Sequence, residues 1–180
     1  IEHGRPGTTM AAWGPTLRPQ TIDDLVALIR SWETPVEEAP VAELASNLQA
    51  AVVNPGGDRP NFRPREGRYV GVDDVARAMR TGKSLIILDA RARSDFALGH
   101  IEGAANLPFY EAPSLVEQVP RGHWVITYCA CPHAVSGQLA DALTAAGFAD
   151  VAVLDEGYYV WRDRGYPVVT PPDASPQPTE

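Results

Sequence analysis

The sequence predicts an α/β fold over residues 69–170, in which a central parallel sheet is flanked by helices. From Val70 onward, short apolar runs alternate with stretches of helical periodicity, and this alternation is typical of a parallel sheet. The run Trp124–Tyr128, WVITY, is the strongest strand signal in the chain. Gly147 and Gly165 each follow a helical stretch, at the position where glycine commonly ends a helix.

The individual elements follow from the spacing of apolar residues along the chain. Thr21 and Asp24 resemble a helix-capping pair, and the amphipathic helix that they open is expected to end before Pro35. A further helix is expected within residues 43–53, followed by Pro- and Gly-rich residues that are typical of a linker. The predicted helices after that are residues 72–80, 93–98, 136–146 and 157–164, and the predicted strands are residues 84–88, 104–106, 124–128 and 151–154.

Length and composition limit the classes of function. A chain of 180 residues suits one ordinary domain with extensions. The net charge of −8 and the scattered Lys and Arg residues argue against a nucleic-acid partner, which would need a basic face. No apolar run approaches the roughly 18 residues of a membrane span. The expected organisation is a short helical N-terminal segment (1–33), a linker (34–68), the α/β domain (69–170) and a disordered tail (171–180) with almost nothing to bury.

Residues 127–136, TYCACPHAVS, contain both cysteines of the chain and one of its four histidines. Cys129 follows the strand WVITY and Ser136 opens the next predicted helix, so the loop lies where α/β sheets bind their ligands. Backbone N–H groups of such a loop, together with the helix N-terminus, bind anions and therefore stabilise a thiolate. The sequence thus predicts a reactive Cys129 in an anion-binding loop formed by Ala130, Cys131, Pro132, His133, Ala134, Val135 and Ser136.

The residues of this loop are also compatible with other roles. Cys129 could be a small buried hydrophobic residue, and Cys-x-Cys-x-His could supply metal ligands, although the spacing is shorter than in zinc sites and no second ligand pair exists. A disulfide between residues i and i+2 would be strained and easily reduced. Covalent haem attachment needs C-x-x-C-H, and CACPH is one residue too tight. A serine hydrolase is excluded because the chain has no Gly-x-Ser-x-Gly elbow.

Three ordered signatures over residues 69–169 resemble the rhodanese (sulfurtransferase) family. They are LIILDARARSDFALGHIEGAANLPF, VITYC with its loop and helix, and AGFADVAVLDEGYYVWRDRGYPV. The resemblance implies a rhodanese-like fold and a catalytic Cys129 that takes sulfane sulfur from thiosulfate or a persulfide. The cysteine then passes the sulfur to a thiol or cyanide. Asp89 and Arg91 belong to the first signature and are expected to support the loop or to fix the end of the strand.

The loop departs from the family pattern at several positions. Such loops commonly carry Gly and Arg just before the Ser, and here Ala134 and Val135 stand there. The seven residues 129–135 match the loop length of related phosphatases and arsenate reductases, but those need an Arg that binds the oxyanion. Phosphatase activity is therefore not expected. His133 either supplies positive charge when protonated or faces solvent, and Cys131 either reacts with Cys129 or merely packs.

Two residues of the family signatures are expected to act through structure. His100 lies in the Gly-His-Ile segment and is expected to form a structural hydrogen bond. Glu156 stands where the family usually has Gly. Next to an anion site its carboxylate would repel substrate unless it points away.

Residues 1–33 resemble the C-terminal part of a class I c-type cytochrome. The match is a Gly-rich segment, Met10 in T-x-M-x-x-W and a terminal amphipathic helix. The resemblance implies Met10 as an axial haem ligand. Because this segment has no attachment motif, no cofactor is expected in this chain, and haem c only with a segment upstream of Ile1. The same resemblance implies a cytochrome or other redox partner and a periplasmic or other extracytoplasmic location. The sequence also allows the cytoplasm.

The function predicted from these features is sulfur transfer through Cys129, with a small sulfur-containing anion as donor and a thiol as acceptor. The alternative is a non-enzymatic sulfur or redox sensor, or a docking module, that uses the Cys129/Cys131 loop without turnover.

Overall fold

The computed structural model describes residues 18–31, 41–130 and 133–171. The chain divides into two compact units, residues 1–39 and 40–180. The described part of the first unit is the amphipathic helix α1 (Pro19–Ser31). It begins before Thr21, so the expected capping pair lies inside the helix, and Gln20 Nε2 donates to Asp24 Oδ1 at 3.1 Å. Met10 and the predicted tail at 172–180 lie outside the described residues.

The second unit contains short strands and helices in alternation. Its strands are β1 (Val52–Val53), β2 (Tyr69–Val70), β3 (Leu85–Asp89), β4 (His100–Ile101), β5 (Ala105–Asn106), β6 (Trp124–Tyr128), β7 (Val151–Leu154) and β8 (Val168–Val169). Its helices are α2 (Val41–Gln49), α3 (Val72–Arg80), α4 (Arg93–Leu98), α5 (Ala112–Leu115), α6 (Ala134–Ala145) and α7 (Gly157–Asp163), with one 3-10 turn at Val116–Gln118. None of the helices in the described ranges is long and apolar enough to cross a membrane.

The main sheet has the strand order β1-β3-β6-β7-β2, with β5 paired to the end of β3. Neighbouring strands run parallel, as predicted, except for β1, which lies antiparallel to β3 at one edge. Strands β4 and β8 form a separate antiparallel pair. The central strand β3 is buried along its whole length, because helices cover both faces of such a sheet.

Among the described residues of the second unit, two apolar clusters form the core, one on each face of the sheet. Successive residues of β3 point to opposite faces, so Ile86 and Leu88 join one cluster and Leu85 and Ile87 join the other. The first cluster is closed by side chains of α2, α5 and α6, and the second by side chains of α3 and α7.

The segment expected as a linker at 34–68 is, from residue 41 onward, part of the folded unit. Helix α2 contributes Leu44 and Leu48 to the first core cluster, and Ala51 follows on the same face. Strand β1 then pairs with β3. The apolar spacing of these residues is that of a helix packed on a core. The linker prediction gave too much weight to the Pro and Gly residues that come after β1.

The predicted elements of the domain agree with the structure to within two residues at most ends. Helix α3 has the predicted bounds, while α6 begins at Ala134, two residues earlier than expected, and Gly147 with φ of +87° follows its end. Strands β1, β2, β4 and β8 have two residues each. Such short strands carry no periodicity that a sequence pattern could reveal.

Candidate active site

Cys129 lies directly after β6, at the carboxyl edge of the sheet, and the loop that it opens leads into α6. Its Sγ is 3.2 Å from the hydroxyl of Ser136. The structure therefore brings together the two ends of the predicted loop. Both residues are 1% exposed. Cys131 and Pro132, which were also predicted to line the site, lie outside the described residues.

The main chain around Cys129 is fixed by the start of α7. The N–H of Tyr158 donates to the Cys129 carbonyl oxygen at 2.9 Å. This contact requires Gly157, because a β-carbon there would lie 2.8 Å from that same oxygen and the backbone has φ of +74°. The match of Gly157 to the family signature thus has a steric cause.

The first turn of α6 consists of Ala134, Val135 and Ser136. Amide groups in the first turn of a helix have no partner inside the helix, and they favour a negative charge close by. Thr127 Oγ1 donates to the Ser136 carbonyl at 2.9 Å and ties this turn back to β6. The Val135 side chain packs against the first core cluster, so this residue offers the loop its backbone only.

His133 is the last residue before α6 and has a left-handed backbone, with φ of +70°. Its Nε2 lies 2.8 Å from the Asp155 carbonyl oxygen and 2.9 Å from Asp155 Oδ1. Both partners accept hydrogen bonds, so Nε2 carries a hydrogen in either charge state. The ring stacks on Tyr69 at 4.2 Å, and the side chain is 33% exposed. His133 is therefore held by a carboxylate and an aromatic ring, which neither sequence interpretation anticipated.

Asp89 and Arg91 form a buried ion pair behind the loop. Arg91 Nε donates to Asp89 Oδ1 at 2.9 Å, and its Nη2 donates to the Gly99 carbonyl at 2.7 Å. Burial alone would lower the pKa of Arg91, but the hydrogen bonds and the charge of Asp89 raise that pKa above its usual value. The guanidinium lies 4.4 Å from the Tyr158 ring centroid. The pair thus joins the end of β3 to Gly99 and to the ring of Tyr158, and its support of the loop stays a prediction.

Tyr128, the last residue of β6, connects this ion pair to the strand that carries the cysteine. Its hydroxyl accepts a hydrogen bond from the N–H of Ile101 at 3.2 Å. Burial raises the pKa of Tyr128 well above its ordinary value, and the neighbouring Asp89 carboxylate raises it further. The phenol therefore stays neutral over the physiological range.

His100 and Glu156 have structural roles. His100 Nδ1 lies 2.9 Å from the Phe96 carbonyl, and its ring stacks on Phe96 at 3.7 Å. Glu156 Oε2 accepts a hydrogen bond from the N–H of Val72 at 3.0 Å. The Glu156 carboxylate thus binds a backbone N–H at the start of α3. This contact explains how a negative side chain is accommodated so close to Gly157.

No three His, Cys, Asp or Glu side chains in 18–31, 41–130 and 133–171 lie close enough together to hold a metal ion.

Sequence patterns missed Tyr69, Asp155 and Tyr158 as parts of the site. Each reaches the loop from a distant segment, so no local spacing could have indicated them.

Comparisons with known proteins identify the family and the fold of the domain. The family described as "Rhodanese-like domain" matches residues 71–164, just over half of the chain. Thiosulfate sulfurtransferase GlpE of Stutzerimonas stutzeri is 36% identical over 90 residues, which cover 49% of this chain and 80% of that protein. The GlpE protein of Shewanella oneidensis is 34% identical over 97 residues, covering 53% of this chain and 93% of that protein. The rhodanese-like domain of the Anabaena Alr3790 protein has the same fold, with a TM-score of 0.56 at 24% identity over 66% of this chain and 89% of that chain. The chain therefore belongs to the rhodanese-like domain family.

Proposed function

We propose that this chain is a sulfurtransferase that carries sulfane sulfur on Cys129. The observation that carries the proposal is the position of Cys129 after β6, with its Sγ 3.2 Å from Ser136 Oγ in the first turn of α6. Relatives that are 34–36% identical over this region are named thiosulfate sulfurtransferases. Their name supports thiosulfate as donor for this chain.

In the first step, the Cys129 thiolate attacks the outer sulfur of thiosulfate. A new sulfur–sulfur bond forms to Cys129, the sulfur–sulfur bond of thiosulfate breaks, and sulfite leaves with the bonding electron pair. The product is a persulfide anion on Cys129. The Ser136 hydroxyl, 3.2 Å from Sγ, donates to the attacking thiolate.

In the second step, a thiolate or cyanide attacks the terminal sulfur of the persulfide. The sulfur–sulfur bond to Cys129 breaks, its electron pair returns to Cys129, and the thiolate is restored. The acceptor leaves as a persulfide or as thiocyanate. The donor, the persulfide and sulfite are all anions, so one set of N–H donors serves both steps.

Binding of the donor depends on the backbone more than on side-chain charge. Val135 stands where the family commonly has Arg, and its side chain packs into the core. The amides of the first turn of α6 therefore carry the anion without a bidentate guanidinium partner. We expect a KM for thiosulfate that is higher than in relatives with an Arg at this position.

Burial of the nucleophile favours small donors. Cys129 is 1% exposed, and α7 closes one side of it through Gly157 and Tyr158. A donor has to enter the loop itself to reach Sγ. Thiosulfate is compact enough for this, whereas a bulky persulfide would have to displace loop atoms.

The proposal is tested by intact mass after treatment with thiosulfate. The wild type should gain the mass of one sulfur and lose it to cyanide as thiocyanate, and Cys131→Ser should do the same. Cys129→Ser should neither gain sulfur nor form thiocyanate. Sulfur that still accumulates in Cys129→Ser would contradict the assignment.

The second candidate is a sulfur or redox sensor, or a docking module, without turnover. The observation that favours it is Val135 in place of the family's Arg. In the same experiment, a stable disulfide between Cys129 and Cys131 with no thiocyanate formed would support the sensor over the enzyme.

A further inference from the structure

We propose that Asp155 and Tyr69 are positioning residues, which hold the Cys129 loop in its anion-binding shape through His133. The inference rests on the proposed function in taking Cys129 as the sulfur carrier. It concerns a contact that joins three separate segments: the end of the loop, the residue after β7 and the edge strand β2. We call the His133, Asp155 and Tyr69 side chains together the latch.

The backbone of His133 needs such support. Its φ of +70° lies in the left-handed region, which disfavours residues with a β-carbon. The His133 carbonyl accepts the first hydrogen bond of α6, from the N–H of Gly137 at 3.0 Å. The conformation of His133 therefore sets where α6 starts, and with it the place of Ser136 Oγ and of the first-turn amides.

The surface that receives His133 is itself well anchored. The N–H of Asp155 donates to the Val70 carbonyl at 3.0 Å, and the Asp155 carboxylate also pairs with the Arg65 guanidinium. Arg65 and Tyr69 exchange two backbone hydrogen bonds, at 2.7 and 2.9 Å. Asp155 and Tyr69 are therefore held in place independently of the loop.

The latch matters because the loop has no guanidinium to bind the anion. With Val135 packed into the core, recognition rests on amides whose direction depends on the turn at His133. Without the latch, these amides remain, but their N–H groups should point less accurately at the bound anion. The expected effect is weaker binding and slower reaction of anionic donors, with little change in overall stability.

A pair of substitutions at His133 separates the latch from backbone strain. His133→Ala removes the ring and keeps the β-carbon, whereas His133→Gly removes the ring and fits the left-handed backbone. If the latch is needed, both variants should lose about 10-fold in kcat/KM for thiosulfate, as expected for roughly one lost charge-assisted hydrogen bond. Wild-type kcat/KM in His133→Gly would overturn the proposal, because only the backbone would then matter.

Substitutions at Asp155 test the partner of the histidine. Asp155→Ala leaves the carbonyl oxygen at 2.8 Å as an acceptor, so its loss should be smaller, about 3-fold to 5-fold. Asp155→Asn keeps a side-chain oxygen and should restore most of the kcat/KM. The matched control is Asp141→Ala, an exposed aspartate that pairs with Arg68. A loss in Asp141→Ala as large as in Asp155→Ala would overturn the latch.

A readout independent of turnover distinguishes failure of the latch from failure of the proposed function. In a Cys131→Ser background, we would compare the alkylation rates of Cys129 by iodoacetate, an anion, and iodoacetamide, which is neutral. The ratio of the two rates should fall in His133→Gly and Asp155→Ala if the latch directs the amides. An unchanged ratio overturns the latch, whatever the sulfur-transfer result. If the ratio falls in the variants but the wild type transfers no sulfur, the latch proposal stands and the proposed sulfurtransferase function is wrong.

Discussion

Gly157 and Gly165 sit at the two ends of α7, and both have left-handed backbones, with φ of +74° and +71°. A β-carbon at Gly157 would lie 2.8 Å from the Cys129 carbonyl oxygen, whereas nothing lies within 4 Å of one at Gly165. Both positions thus require a left-handed backbone, but only Gly157 lies against the main chain of Cys129.

Alanine at each of these glycines separates the two effects. Gly165→Ala should lower the free energy of unfolding by about 1 kcal/mol through backbone strain alone. Gly157→Ala should lower it by roughly a further 1–3 kcal/mol through overpacking, and thiocyanate formation should also fall. Urea denaturation measures the free energy of unfolding of each variant, and the thiocyanate assay measures its activity. Equal losses in the two variants would show that the steric contact with Cys129 is unimportant.

At the scale of elements, α2 shows that the folded unit extends beyond the region matched by the family. The match begins at residue 71, yet α2 lies against β5 and the 3-10 turn and closes the first core cluster. Leu48 is fully buried there, and its neighbour Asn47 is exposed. The helix should therefore contribute strongly to the stability of the domain.

Leu48→Ala tests this contribution. Truncating a fully buried leucine leaves a cavity, so the free energy of unfolding should fall by about 2–5 kcal/mol. The control Asn47→Ala, on the exposed face of the same helix, should change it by about 0.5 kcal/mol or less. Chemical denaturation of both variants is the measurement. A small effect of Leu48→Ala would mean that α2 is dispensable.

At the scale of the whole molecule, most of the fold was accessible from the sequence, and much of the site was not. Long buried runs such as Leu85–Asp89 and Trp124–Tyr128 predicted the parallel centre correctly. The two-residue strands β1, β2, β4 and β8 were missed because they carry no period. The placement of Cys129 near a helix start followed from the order of the strand, loop and helix along the chain. The partners of the loop, Tyr69, Asp155 and Tyr158, come from remote segments and needed the structure.

Stability at alkaline pH is a property of the whole chain to which one buried group, Tyr128, should contribute. Burial, and then the Asp89 carboxylate, raise the pKa of Tyr128 well above its ordinary value of 10.0. Above about pH 10 the unfolded chain loses the phenolic proton while the folded chain keeps it, so the unfolded state binds fewer protons. The stabilisation is complete below the unfolded pKa and is lost as pH rises toward the folded pKa.

Tyr128→Phe should therefore flatten the decline in the free energy of unfolding between about pH 9 and pH 11. The variant should be less stable at neutral pH, because the N–H of Ile101 loses its acceptor. Tyr159→Phe, at a tyrosine that is 50% exposed, is the control and should keep the wild-type slope. The measurement is urea denaturation at a series of pH values. The same slope in all three proteins would contradict a raised pKa at Tyr128.

Main-chain atoms make the contacts that place the nucleophile: Tyr158 N–H with the Cys129 carbonyl, and Ala90 N–H with the Tyr128 carbonyl at 2.9 Å. Every residue type except proline offers the same amide, so these two contacts do not depend on the side chains of Tyr158 and Ala90, whereas Gly157 and Ser136 act through their residue type. Ala130, which is half-buried, and Ala134, which is exposed, are therefore natural positions for randomised libraries. Laboratory evolution of new donor preferences could proceed there without dismantling the reactive centre.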